Sequence, residues 1–225
     1  NEQLTLGATA LHSEEEIDYD GFNHEFDHID RTRSAGSIYA SFESGSITNK
    51  IKRSFSNTDR YDRNGWNKSF IGSRNVWNYT GQTIFNGANV TFGYEESTEE
   101  ADIDGQIKDY KETAVISEVN YALGKNSDIS LAARRTSSKN YGDDTTYRLA
   151  AINRHQDELT SRLVLSSGFR APSLYELFDS YYGNSTFTPE TSLNAEIGLE
   201  KKLNETSELS ACLLYTSDAA DEHGC

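Results

Sequence analysis

Apolar and polar residues alternate along this chain with a period of two, over and over, and polar breaks separate the runs. Leu4, Leu6, Ala8 and Ala10 alternate with Gln3, Thr5, Gly7 and Thr9, and Ile38, Ala40 and Phe42 with Ser37, Tyr39 and Ser41. Ala88, Val90, Phe92 and Tyr94 repeat the pattern, as do Val115, Val119, Tyr121 and Leu123. Ile129, Leu131 and Ala133 follow, then Tyr147, Leu149 and Ala151, then Leu159, Leu163 and Leu165. The segments 47–55 and 70–80 are less cleanly patterned. Successive side chains of a strand point to opposite faces, so each run predicts a strand with one apolar and one polar face. About ten to twelve such strands are expected, in an all-β antiparallel meander without substantial helix.

The pattern is clearest near the end. Leu193, Ala195, Ile197 and Leu199 share one parity, and Asn194, Glu196, Gly198 and Glu200 the other. One continuous apolar face opposite a charged one suits a wall between lipid and water, as in a transmembrane β-barrel. Glu118, Arg134, Arg148, Arg162, Glu196, Glu200 and Lys202 all fall on the polar parity. On a lipid face a Lys or Arg costs roughly 2–4 kcal/mol near the midplane, so these charges are expected to line a wet or filled interior. Short connections are predicted at 44–46, 124–128, 155–158 and 204–207, and long ones at 13–31, 99–108 and 171–191. Short turns on one side and long loops on the other are characteristic of outer-membrane barrels.

Composition sharpens this reading. Only 35% of the 225 residues are hydrophobic, yet 11% are aromatic, and no run approaches the ~20 apolar residues of a membrane-spanning helix. A net charge of −15 argues against nucleic acid as a partner. The stretch Cys212–Glu222, CLLYTSDAADE, is the translation of a common transposon-type sequencing adapter, so residues 212–225 are expected to be foreign and residues 1–211 native barrel. Both cysteines, Cys212 and Cys225, lie in that tail; without it the charge moves to −12, and neither a disulfide nor a Cys-ligated metal is expected. The opening already carries strand pattern, which predicts a piece of a longer protein.

Two motifs suggest other chemistry. His24-Glu25-Phe26-Asp27-His28 fits the H-E-x-x-H pattern of zinc proteases, which requires a helix placing both imidazoles on one face. Here Asp18, Asp20, Asp27 and Asp30 crowd it between strand patterns, so an irregular outer loop without zinc is expected. The acidic segment from Glu14 to Asp30 offers carboxylates to calcium but lacks the ligand order of an EF-hand. A solvated loop is the expectation there too. No cofactor is expected, and no catalytic motif besides the zinc pattern is present.

The segment from Leu163 to Leu203 also resembles the late barrel region of TonB-dependent outer-membrane receptors. Gly168-Phe169-Arg170-Ala171-Pro172-Ser173-Leu174-Tyr175-Glu176-Leu177 is similar to their G-F-R-A-P-(S/T)-L-x-E-L run. Tyr182-Gly183-Asn184 and then Pro189-Glu190-Thr191-Ser192 are similar to its Y-G-N, P-E-x-S sequel. The resemblance implies about half of a receptor barrel, open or loosely closed, in the outer membrane of a Gram-negative bacterium. It implies an N-terminal plug domain outside this chain, no enzymatic activity, and import of a cobalamin or ferric siderophore energised by the TonB complex. The implied partners are that complex, an iron-siderophore or corrinoid, and outer-membrane lipid. Loop style leans towards a cobalamin-type receptor. Tyr181, Tyr182 and Phe187, in the loop from Ser180, are the expected ligand contacts, because aromatic loop tips suit large, partly apolar ligands. A passive porin-like channel shares the alternation but not the paired motifs; the zinc protease rests on one five-residue match.

Overall fold

A computed structural model describes residues 4–20, 26–63, 69–156 and 158–218. His24, Glu25 and Cys225 lie outside the described residues. Eleven strands follow one another: β1 (Thr5–Asp20), β2 (Phe26–Ser44), β3 (Ile47–Asp62), β4 (Ser69–Phe85), β5 (Ala88–Ile103), β6 (Gln106–Leu123), β7 (Ser127–Ser138), β8 (Gly142–Arg154), β9 (Leu159–Arg170), β10 (Glu190–Asn204) and β11 (Ser207–Asp218). Each pairs only with its chain neighbours, in one antiparallel sheet that is not closed into a barrel. One short helix, α1 (Leu174–Phe178), interrupts the meander between β9 and β10.

Register carries the alternation across the sheet. Residues opposite each other in a ladder share a face, and one such row runs Val90, Val119, Leu131, Leu149, Leu165, Ala195, Tyr215 through seven strands. The next row runs Tyr121, Ile129, Ala151, Leu163, Ile197, Leu213 on the same face. One residue away, Glu118, Ala132, Arg148, Ser166 and Asn194 form a row on the opposite face. The two predicted sets, Leu193, Ala195, Ile197, Leu199, Val119 and Tyr121 against Glu118, Glu196, Glu200 and Arg162, therefore separate cleanly. A slip of one residue would have exchanged them.

Burial distinguishes this sheet from that of a water-soluble domain. Among the described residues only Ala101, Ile103, Ala114 and Leu174 form buried hydrophobic positions, while Ile38, Trp77, Leu131, Ile197 and many other large apolar side chains are exposed. A soluble monomer rarely shows a contiguous apolar patch beyond a few hundred Å². Here the large apolar side chains of one face lie open along the sheet.

The loop pattern differs from the sequence expectation. The described residues of the segment 13–31 are strand: β1 runs to Asp20 and β2 starts at Phe26, paired from Thr5–Ser41 to Asp20–Phe26. The segment 99–108 is also strand, closed by a two-residue turn at Asp104-Gly105 with φ of 50° and 85°. Asp-Gly with both residues at positive φ is the turn whose twist matches that of the strands it joins. Polar composition alone does not separate a loop from a strand with two polar faces, because the backbone ladder needs no apolar side chain. A membrane-crossing strand needs only about 9–11 tilted residues, whereas β1 to β6 have 16 to 19. Of the predicted connection at 171–191, residues 171–189 leave the sheet, with α1 inside them, and 190–191 belong to β10.

Candidate functional site

The loop from Ala171 to Pro189 is organised by its own sequence. Ser173 sits in extended conformation (φ −69°, ψ 158°) and caps α1: its Oγ accepts from the Glu176 N–H at 3.2 Å, and the Ser173 N–H donates to Glu176 Oε2 at 2.8 Å. This reciprocal capping box is what allows a helix of only five residues to form. Pro172, just before the cap, is buried, and neither it nor Pro189 can donate to a ladder, so the chain leaves the sheet there.

Packing fixes where the loop goes. Leu174 is 1% exposed and inserts between Ala101 and Ile103, with Phe70, Tyr110 and Phe178 around it. By register Phe70, Ala101 and Ile103 share the face that carries Glu95 and Arg74, so the loop folds onto the charged face and not onto the apolar one. Tyr175 meets the Phe70 ring edge-on at 6.1 Å, Arg60 lies 5.7 Å over Tyr175, and Lys108 Nζ lies 5.1 Å over Phe178. Burying Leu174 stabilises the docked loop by about 1.5–3 kcal/mol.

Arg170, the last residue of β9, joins the two halves of the recognised motif. It donates to Glu176 at 2.6 Å and lies 3.2 Å from Glu190, the first residue of β10. The hydrogen bond from Arg170 and the Ser173 N–H hold the Glu176 carboxyl below the usual carboxylate range. Gly168 faces Ser192 across the ladder, where a Cβ would lie 2.5 Å from the Ser192 Oγ. The Phe169 ring meets Tyr141 at a tilt of 42° with 5.7 Å between centroids, and Leu177 continues the helix through its N–H to the Ser173 carbonyl. The motif residues Gly168, Phe169, Arg170, Pro172, Glu176 and Glu190 are thus architectural: they close the base of a loop.

The tip is built on Asp179. Its carboxylate accepts from the N–H groups of Tyr181 (2.9 Å) and Tyr182 (2.7 Å). Gly183 then passes so close that a Cβ would lie 2.4 Å from the Asp179 carbonyl oxygen, which only glycine permits. The Asn184 N–H returns to the Glu176 carbonyl at 2.8 Å, and its side chain accepts from Thr186. Tyr181, Tyr182 and Phe187 emerge from this frame 58%, 79% and 50% exposed. The three predicted contact residues are therefore exposed in one loop whose base is buried.

Elsewhere the charged face is dense with ion pairs. Arg162 lies 3.2 Å from Glu196 and 2.5 Å from Glu200, across Gly198, where a Cβ would lie 2.5 Å from the Arg162 Nε. Arg134 lies 2.9 Å from Glu95. At the upper end of β1 and β2, Arg31 and Arg33 both hydrogen-bond Glu15 and hold its carboxyl down at about 2.

The described residues of the zinc-protease pattern, 26–28, are strand and not helix. His28 lies in strand β2 rather than in the expected irregular loop, with its Nδ1 2.5 Å from Asp18. Glu16, Asp18 and His28 bring potential ligand atoms within 4.8 Å of one another at the surface, where Arg63 also reaches Glu16 at 3.4 Å. The acidic segment is thus a strand hairpin laced by ion pairs.

The fold matches solved outer-membrane transporters over most of its length. The siderophore receptor PirA from Pseudomonas aeruginosa superposes with a TM-score of 0.75 at 16% identity, covering 85% of this chain and 40% of that one. The ferric yersiniabactin uptake receptor FyuA from Yersinia pestis gives 0.66 at 13% identity, covering 96% and 42%. The alcaligin outer-membrane receptor FauA from Bordetella pertussis gives 0.67 at 14%, covering 96% and 41%. The chain thus spans about two fifths of the length of these receptors. No curated protein sequence matches it. The profile of the TonB-dependent receptor-like β-barrel matches residues 3–217, and with the sheet, its two faces and the loop motif all in agreement, the chain belongs to that family.

Proposed function

We propose that this chain is part of an outer-membrane receptor that binds a ferric siderophore and imports it with energy from the TonB complex. The observation that carries the reading is the loop at 171–189, folded onto the charged face with Tyr181, Tyr182 and Phe187 left open at its tip. A passive channel gains nothing from an aromatic platform rigidly held at its wall, whereas a receptor needs one to hold a bulky ligand at low concentration. The siderophore assignment is supported by the siderophore receptors among the structural relatives; a corrinoid is the other ligand class the family resemblance implies. Mixed charges on the same face, such as Arg162 with Glu196 and Glu200, suit contact with a plug domain in the whole protein. The outer ends of β1 to β6 and the tip would face the medium, and the capture itself involves no bond-making chemistry.

The test is uptake of labelled ferric siderophores and cobalamin by cells carrying the complete gene, with and without the energy-coupling protein. Saturable siderophore uptake that vanishes without coupling is the expected result; equal uptake in both strains would make the barrel a passive channel. We also read residues 212–225 as adapter-derived, so independent sequencing of the genomic locus is expected to diverge from this sequence at Cys212.

A further inference from the structure

The charged face is striped by sign, and the stripes run along the strands. On β2 to β4 it carries the cations Arg31, Arg33, Lys50, Lys52, Arg60 and Arg74. Asp27, Glu43 and Asp62 are the acids opposing them there. On β5 and β6 the sign is reversed, with Glu95, Glu99, Glu112 and Glu118 against Lys108. It returns on β7 to β9, where Arg134, Arg148, Arg154, Arg162 and Arg170 outnumber Asp128 and Asp144. On β10 it reverses again, with Glu190, Glu196 and Glu200 against Lys202. Neighbouring stripes meet in ion pairs, Arg134 with Glu95 at 2.9 Å and Arg162 with Glu196 at 3.2 Å. Inside the stripes charge is left over: Lys52, Glu118 and Arg148, for example, have no ion pair among the described residues.

The width of the stripes decides what they recognise. Neighbouring strands lie about 4.8 Å apart, so a stripe of two or three strands is roughly 10–15 Å wide. That is close to the Debye length of about 8 Å at physiological salt, so a surface in contact with the wall senses each stripe separately. At a distance the signs cancel. A small solute touches one stripe, whereas a partner broad enough to span several gains from their order. Turning such a partner by one stripe sets like charge against like, which costs it the fit. The loop at 171–189 covers only the outer rows of this face, at Phe70, Ala101 and Ile103, and leaves the rows of Lys52, Glu118 and Arg148 open. The chain covers 40% of the PirA receptor, so a receptor of that length has ample polypeptide to supply the partner.

We propose that the stripes fix the angle at which a folded inner domain of the same protein sits against the wall. Acidic segments of that domain face β2 to β4 and β7 to β9, and basic segments face β5, β6 and β10. This rests on the receptor reading, with its plug domain at the charged face, and goes beyond it by assigning a sign to the surface that meets each group of strands.

The test takes the complete receptor in outer-membrane vesicles, with a photo-crosslinking phenylalanine placed singly at Asn78, Ile116, Ala150 or Asn194. These are uncharged positions of the charged face, one in each stripe. Mass spectrometry of the cross-linked peptides then reads the charge of the segment captured from each. Acidic segments are expected from 78 and 150, and basic ones from 116 and 194. Lys52→Glu, opposite Asn78 in the ladder, should lower the cross-linking yield at 78 about tenfold, and reversing the captured acid as well should restore it. Lys111→Gln, on the outward face, should leave that yield unchanged. Captured segments of one sign at all four positions, or an unchanged yield in Lys52→Glu, would overturn the proposal. If Lys52→Glu fails to fold, the map of the otherwise unaltered receptor still decides. Captured segments without alternating charge refute only the stripes, whereas the lack of any cross-link outside residues 1–218 refutes the inner domain and the receptor reading beneath it.

Discussion

Two segments of this chain have loop-like composition, and they resolve in opposite ways. The described residues of 13–31, rich in Glu and Asp, belong to the paired strands β1 and β2, while 171–189 leaves the sheet and docks on the charged face. The first is held by a backbone ladder with surface ion pairs on it, such as Glu15 with Arg31 and Arg33 and Asp30 with Arg63. The second has no ladder and depends on a few side chains: one buried leucine, one capping box and one arginine clamp. The lesson is that support spread over many weak bonds tolerates single losses, whereas support concentrated in a few contacts does not.

The comparison is broken most severely at Leu174. Leu174→Ala removes the anchor between Ala101 and Ile103 and is expected to weaken loop docking by about 2–4 kcal/mol. Hydrogen exchange should then rise steeply in 171–189 and remain unchanged in β1 and β2, and ligand affinity should fall with it. Ser173→Ala, which deletes the helix cap, should weaken the same docking by about 1 kcal/mol with the same regional pattern.

Acid gives a third, weaker handle, this time on the hairpin. Glu15 is held at about 2, below its ordinary 4.5, first by the hydrogen bond from Arg31 and then by that from Arg33. A depressed carboxyl stabilises the folded form above its unfolded value and loses that contribution as it is protonated. Protection of the β1 and β2 amides should therefore hold from neutral pH to about 4.5 and decline towards pH 2. The smallest effect is expected from Arg63→Ala, which removes an exposed partner of Asp30: protection in β1 and β2 should hardly change, since exposed pairs contribute little. A large loss there would mean that the hairpin, too, rests on single contacts.

Much of this was legible in the sequence, for definite reasons. Alternation is a local signal, so residues such as Val119 and Glu118 could be assigned to opposite faces without knowing their neighbours. The strand ends were not legible, because alternation of hydrophobicity stops at Glu14, Glu16 and Asp18 although the backbone ladder continues through them. The turn at Asp104-Gly105 carried its own signal, a two-residue Asp-Gly step, but was hidden inside an acidic stretch. In the site, Tyr181, Tyr182 and Phe187 were chosen for their aromatic character, and they are exposed at the tip. The frame beneath them was missed. The Ser173-x-x-Glu176 spacing is a helix-start signal that was available, whereas the contact of Leu174 with Ala101 and Ile103 spans some seventy residues and leaves no local trace.

The central claim is that this sheet is a wall with lipid on one face and a hydrated interior on the other. The most direct measurement places a spin label singly at each position from Leu193 to Glu200, in the complete receptor in lipid bilayers with Cys212 and Cys225 replaced where present, and records its accessibility to oxygen and to a polar nickel chelate. Positions 193, 195, 197 and 199 should favour oxygen, and 194, 196, 198 and 200 the chelate, in strict alternation. An absence of alternation, or the inverse phase, would contradict the account.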